Sequence, residues 1–162
     1  MKKLIVIIWL SVVIFGCTLS VASNKGDPYA HMVRYTVASD FETIRDQVKD
    51  AITDRGMVIN NVSHIGNMLE RTRKDLGVGE RVYLHAEALE FCSAVVSRTM
   101  METDPHNIIF CPYIIAVYEL PKQPGKIHVA YRKPQLVGSD ESRESLKVVE
   151  KLLNDSAREA IE

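Results

Sequence analysis

The chain has 162 residues, of which 46% are hydrophobic and 25% are charged, and its formal net charge at pH 7 is -1. This length fits one domain, and the composition excludes a disordered or fibrous chain. Because acidic and basic residues nearly balance, an extended basic surface is not expected, and we predict no nucleic-acid partner. No nucleotide-binding loop, zinc-ligand cluster or hydrolase signature occurs, so no cofactor is predicted and an enzymatic activity stays undecided.

The first two dozen residues have the pattern of an export signal. Lys2 and Lys3 precede the almost wholly apolar residues 4–15, and no other charge occurs before Lys25. A positive start followed by an apolar run of this length is typical of a secretory signal. The predicted organisation is a signal sequence or N-terminal membrane anchor over residues 1–22, a tether over residues 23–30 and a single α+β domain over residues 31–162.

Three fates of this segment share one topology. Residues 14–17 (IFGC) resemble the bacterial lipobox, in which the cysteine, here Cys17, is lipidated and becomes the new N-terminus. Alternatively, the small residues 20–22 allow ordinary signal-peptidase cleavage. Residues 4–23 are also about long enough to stay as an uncleaved membrane anchor. Each fate exports the domain, and we expect it on the periplasmic or extracellular side, held to membrane lipid through its N-terminus.

The first predicted elements are a strand and a helix. Residues 32–37 alternate in the manner of a strand. Ser39 and Glu42 have the spacing of a capping box, which predicts that Ser39 caps the helix that follows. Gly56 supplies a left-handed stop for this helix. The apolar residues of the helix fall on one face: Phe41, Ile44, Val48, Ala51 and Ile52.

A second strand and a short helix follow. Residues 57–62 are predicted as the strand, and Asn67 is predicted to open the helix that Gly77 closes. We expect Met68, Leu69 and Leu76 of this helix to face inward. Residues 81–92 are then predicted to form a strand that runs up to Cys92.

The remaining pattern completes an α+β fold. Ser93 is predicted to cap a helix over residues 94–103, which Asp104 and Pro105 end. The apolar residues 108–119 are predicted as a buried strand, with Pro112 demanding a bulge or an edge position. After a turn, residues 126–131 form its hairpin partner, and residues 140–161 form a long amphipathic helix. We therefore predict a two-layer sandwich, with a mostly antiparallel sheet and helices on one face.

The segment from Cys92 to residue 119 resembles a known protein family. Cys92 before a helix, an Asp-Pro turn at residues 104–105, the step Cys111-Pro112 and the strand end at residues 117–119 (VYE) are similar to the bacterial and archaeal family called domain of unknown function 302. The resemblance covers roughly residues 31–138. It implies a compact α+β domain with a TATA-binding-protein-like topology that is commonly dimeric, and it implies no established activity.

Cys92 and Cys111 are the two thiols left in the exported part. Its position just before a helix N-terminus would favour the thiolate form of Cys92. The alternative is that Cys92 is a small buried apolar side chain with no chemical role. The two cysteines can form a disulfide if residues 104–110 return the chain to the neighbouring strand. A direct crossover to a parallel strand would instead leave the sulfurs too far apart.

Two functions are compatible with these observations. The first is a non-catalytic binding or assembly module, tethered to the membrane and self-associating as a homo-oligomer, whose small-molecule ligand the sequence does not identify. The second is a thiol-based redox or metal-handling protein centred on Cys92 and Cys111. In that case His85 and His106, the histidines nearest to the cysteines in sequence, are the candidate additional metal ligands.

Overall fold

The computed structural model describes residues 28–77 and 79–162. The predicted signal or anchor and the lipidation of Cys17 therefore lie outside the described residues. Within the described ranges, no helix has both the length and the hydropathy to cross a bilayer. The strands are β1 Met32–Ala38, β2 Val58–Ser63, β3 His85–Cys92, β4 Tyr113–Glu119 and β5 Lys126–Arg132, and the helices are α1 Phe41–Thr53, α2 Ile65–Leu76, α3 Ala94–Thr103, a 3-10 helix Pro105–Phe110 and α4 Asp140–Glu159.

The strands form one antiparallel sheet in the order β1-β5-β4-β3-β2. β3, β4 and β5 are neighbours both in sequence and in space, because the connections between them return the chain alongside the strand it has just left. Helix α4 packs against both α1 and α3, and the three helices cover one face of this sheet. The predicted two-layer α+β architecture is confirmed.

The core lies between that sheet face and the three helices. Alternate residues of each strand point into it, because successive strand side chains lie on opposite faces. On β5 these are Ile127, Val129 and Tyr131, as the alternation predicted. The most deeply buried apolar side chains from the strands and helices are Val48, Ile52, Leu89, Phe91, Met100, Ile115, Val117, Ile127, Val129, Leu146 and Val149.

The predicted apolar face of α1 is confirmed, but its predicted cap is wrong. Asp40, not Ser39, is the N-cap residue, and its Oδ1 accepts a hydrogen bond from the backbone N–H of Thr43 at 2.8 Å. Ser39 lies one residue too early, and its own N–H donates to the carbonyl oxygen of Gly125. Either residue type is a good N-cap, so the sequence alone did not distinguish the two positions.

Helix α2 differs more from its prediction. It begins at Ile65 rather than at Asn67, and Met68 and Leu76 are exposed instead of facing inward. The reason is its packing partner: α2 mainly contacts β3, where Gly66 lies so close to the Ala86 backbone that an added Cβ would be 2.9 Å from the Ala86 nitrogen. Contact through a glycine leaves Met68 and Leu76 uncovered, whereas Leu69 is half-buried.

The apolar segment 108–119 is not one strand. Its first residues belong to the 3-10 helix, where Ile108 and Ile109 are exposed, and the strand starts only at Tyr113. The buried side chain of Asn107 holds this short helix in place, because its Nδ2 donates to the carbonyl oxygen of Met100 and to the hydroxyl of Ser142. These bonds join the 3-10 helix to α3 and α4 and set the path of the chain into β4.

Candidate dithiol site

The two cysteines meet because a strand ends and its neighbour begins at the same end of the sheet. Cys92 is the last residue of β3, and Ser93 caps α3 by accepting a hydrogen bond from the N–H of Val96. Helix α3 and the 3-10 helix then carry the chain out and back, and Cys111 immediately precedes Pro112 and the start of β4. The pairing of Phe91 with Tyr113 fixes this return.

The sulfurs of Cys92 and Cys111 are 2.8 Å apart, and both residues are half-buried. A disulfide bond is about 2.05 Å long, so the two sulfurs lie next to each other without a bond in this structure. The peptide bond between Cys111 and Pro112 is cis. The possibility that residues 104–110 return the chain is the one the structure adopts, and the parallel crossover that would separate the sulfurs does not occur.

Ser97 and Tyr113 form the buried polar side of the site. The Ser97 Oγ lies 3.8 Å from the Cys111 Sγ, and its hydroxyl donates a 3.0 Å hydrogen bond to the Tyr113 hydroxyl oxygen. The backbone N–H of Tyr113 also donates a hydrogen bond toward the Cys92 sulfur. Burial raises the pKa of Tyr113, so its phenol stays protonated beside the thiols.

The pKa of Cys92 is raised to about 11, and burial is the largest cause. The hydrogen bond with Cys111 and the negative charge that Cys111 can carry raise it further, whereas the Tyr113 N–H lowers it. The prediction that the α3 N-terminus favours a Cys92 thiolate is therefore wrong. Ser93 occupies the N-cap position and takes up the Val96 N–H, while Cys92 belongs to the sheet.

The candidate histidines do not join the cysteine pair. His85 starts the strand that Cys92 ends, about 23 Å away at the usual rise per strand residue, and it stacks on Phe41. His106 lies exposed on the 3-10 helix. Within residues 28–77 and 79–162, no cluster of three or more His, Cys, Asp or Glu side chains could hold a metal ion. The proposed His85–Cys92 ligand pair is therefore wrong, because an extended strand separates its members.

Several residues that lie beside the two thiols were not predicted from the sequence. Ser97 follows Ser93 by one helical turn, and Tyr113 follows Cys111 by two residues, so both spacings could have suggested proximity. The exposed apolar side chains near the site could not have been found in this way. Two of them, Ile108 and Ile109, belong to the segment that hydrophobicity alone assigns to a buried strand.

The fold and the site together define a two-layer α+β domain with a half-buried pair of contacting cysteines. The chain belongs to the family described as Domain of unknown function DUF302, whose model matches residues 33–161. The match extends beyond residue 138 and includes the C-terminal helix α4, which the sequence resemblance had left out.

A solved structure agrees with this assignment. The crystal structure of an uncharacterized conserved DUF302 protein from Bacillus stearothermophilus is similar to this chain, with a TM-score of 0.68 and 16% sequence identity. The similarity covers 81% of this chain and 98% of that one. At this identity the likeness establishes the fold. No curated protein matches the chain.

Proposed function

We propose that this protein carries out thiol–disulfide exchange through Cys92 and Cys111. The observation that carries the proposal is the 2.8 Å contact between the two sulfurs, at a site where both residues are half-buried. Formation of a disulfide from this arrangement needs only a small approach of the sulfurs. Partial exposure gives a substrate sulfur access to the pair.

The two contacting thiols divide the exchange between an attacking and a resolving role. The attacking thiolate displaces one sulfur of a substrate disulfide, so that a mixed disulfide forms, the substrate S–S bond breaks and the leaving thiolate takes a proton. The second thiol of the pair then loses its proton and attacks the protein sulfur of the mixed disulfide, which releases the second substrate thiol. Two electrons pass from the cysteine pair to the substrate, and the protein ends as a disulfide.

The proposed compartment is outside the cytoplasm. The support is the pattern of residues 1–22, with Lys2 and Lys3 before an uncharged apolar run and Cys17 in a lipobox-like context. A membrane-tethered domain on the periplasmic or extracellular side would meet an oxidising environment, in which disulfide exchange has substrates. Mass spectrometry of the mature N-terminus, with detection of a lipid on Cys17, tests this location.

A second candidate is a non-catalytic binding or assembly module, and a groove beside α4 favours it. The groove has a volume of about 450 Å³. At its floor the hydroxyls of Tyr35 and Tyr131 both donate to the Asn154 Oδ1. Lys133, Lys147 and Lys151 line it together with one carboxylate, Glu150, and Lys151 is also paired with Asp155. This excess of cations suits an anionic ligand or an acidic surface of a second copy. Light scattering of the full chain, with and without inorganic phosphate, tests self-association and its dependence on an anion.

Trapping of the mixed disulfide tests the exchange function. The parent is the full chain carrying Cys17→Ser, so that only the two site thiols react. The probe is an aromatic disulfide whose thiolate product absorbs visible light. The parent should release two equivalents of this product and keep no adduct, because the resolving thiol completes the exchange. The variant Cys92→Ser should release one equivalent and retain the adduct on Cys111.

The matched variant Cys111→Ser leaves only Cys92 and should likewise release one equivalent and retain the adduct. Comparison of its rate with that of Cys92→Ser shows which thiol attacks first. If the parent holds two adducts, the cysteines act as independent thiols and the exchange function is wrong. If either single-cysteine variant loses its adduct as the parent does, the second thiol is not the resolving group and the exchange function is wrong.

A further inference from the structure

Five large apolar side chains are exposed close to the two thiols. They come from four separate elements, and the most exposed of them, Ile109, is 77% exposed to solvent. We call this set the apolar rim. Its members are Val58, Val95, Ile108, Ile109 and Ile114.

Each rim residue is placed near a cysteine by the backbone. Val58 is the pairing partner of Cys92 across β2 and β3. Val95 lies three residues beyond Cys92, in the first turn of α3. The carbonyl oxygen of Ile108 accepts a hydrogen bond from the N–H of Cys111 at 3.1 Å, and Ile109 follows it.

Ile114 completes the rim on the open face of the sheet. It pairs with Glu90, and strand alternation places both residues on the face that Cys92 also occupies. Glu90 is the charged residue beside this part of the rim, but its carboxylate already accepts hydrogen bonds from Asn61 and Ser63. It is therefore engaged within the protein.

The chain around the thiols carries no charge. Residues 91–97 and 107–118, which hold both cysteines and four of the five rim residues, contain no Asp, Glu, Lys or Arg. A small anionic disulfide such as glutathione disulfide has carboxylates that need cations or strong donors to be recognised. Exposed aliphatic side chains instead recognise other apolar surface.

We propose that the substrate is a polypeptide whose cysteine or disulfide is flanked by apolar side chains. This inference rests on the proposed exchange function and names its substrate class. The apolar rim would bury the flanking side chains while a thiol of the pair attacks the substrate sulfur. The gain in affinity comes from apolar surface removed from water at the moment of attack.

Rates of exchange with matched substrates test this proposal. The full chain carrying Cys17→Ser, in phospholipid nanodiscs, is mixed with two synthetic peptide disulfides that differ only in Leu and Val or in Asp and Ser beside the cysteine. Glutathione disulfide is the third substrate. The apolar peptide should oxidise the pair about tenfold faster than the acidic peptide.

Two variants assign the preference to the apolar rim. Val58→Thr with Ile109→Thr keeps the branching at Cβ but makes both side chains polar and shortens that of residue 109, and it should lower the rate with the apolar peptide about tenfold. It should leave the rate with glutathione disulfide unchanged. The matched control is Val148→Thr, which changes a similarly exposed valine on α4 and should alter neither rate.

The results of these experiments distinguish an error in the substrate class from an error in the proposed exchange function. Equal rates for the two peptides, or a rim variant that slows all substrates alike, overturn the substrate class while leaving exchange intact. If no substrate oxidises the pair, the exchange function itself is wrong, and this inference falls with it. A stable dimer in which the thiols of the parent resist alkylation would also overturn it, because the rim would then be occupied by a second copy.

Discussion

Replacing Asn107 with alanine should loosen the turn that delivers Cys111 to Cys92. The side chain is 1% exposed, and its Nδ2 donates at 3.1 Å to the carbonyl oxygen of Met100 and at 2.9 Å to the Oγ of Ser142. The Met100 carbonyl keeps two other donors, the Thr103 hydroxyl at 2.8 Å and the Asp104 N–H at 3.4 Å. A buried hydrogen bond contributes about 1 kcal/mol, so loss of the two bonds from Asn107 should lower the free energy of unfolding by about 2 kcal/mol.

Urea denaturation followed by far-UV circular dichroism measures this loss. The matched control is Asn60→Ala, because Asn60 lies exposed at the bulge in β2, and its change should stay within about 0.5 kcal/mol. A loss below about 1 kcal/mol for Asn107→Ala would refute the stabilising role given to this side chain.

A second measurement on the same variant tests its role in placing the thiols. Because Asn107 fixes the path into β4, its loss should lower the equilibrium constant for disulfide formation between Cys92 and Cys111. The constant is measured by alkylation and mass spectrometry in a redox buffer. If the constant equals that of the parent, Asn107 stabilises the fold without positioning Cys111.

Three other changes have expected outcomes. Cys111→Ala should lower the pKa of Cys92 from about 11, because the neighbouring sulfur is one of the groups that raise it; an unchanged pH profile of Cys92 alkylation would contradict this. The pKa of His128 is lowered by burial and by nearby cations, so the folded state binds a proton less readily than the unfolded chain, and stability should fall as pH drops below about 6.5. The free energy of unfolding of His128→Gln should depend less on pH in this range than that of the parent. An identical pH profile for the two proteins would contradict this expectation. Gly66→Ala should destabilise the fold by about 1–3 kcal/mol, because its Cβ would meet the Ala86 nitrogen at 2.9 Å; an unchanged melting temperature would show that α2 shifts freely.

Periodicity and caps predicted most of the fold. The alternation of Ile127, Val129 and Tyr131 and the helical spacing around Leu146 gave β5 and α4, because both elements bury one regular face. Ser93 was predicted as a cap because its position before an apolar-spaced helix is unambiguous. Such patterns report the local environment of each residue, and here that environment is regular.

The remaining features depend on neighbours that a local pattern does not reveal. Ile108 and Ile109 are as apolar as buried strand residues, yet they lie on the surface because Asn107 anchors a 3-10 helix before them. Met68 was expected inside, but α2 contacts β3 through a glycine. Cys92 contacts Cys111 because β4 returns antiparallel to β3. The sequence was compatible with this return but also with a parallel crossover, so it did not predict the contact.

A redox titration of the cysteine pair shows whether Cys92 and Cys111 form a redox-active disulfide. The full chain carrying Cys17→Ser is equilibrated in thiol–disulfide buffers of stepped potential, and its free thiols are alkylated. The masses of the peptides that contain Cys92 and Cys111 are then measured by mass spectrometry. We expect one two-electron transition, with loss of two hydrogen atoms from this pair and a midpoint between about −270 and −120 mV, the range of redox-active disulfides. Two thiols that stay reduced at every potential, or a midpoint below about −300 mV as in structural disulfides, would contradict it.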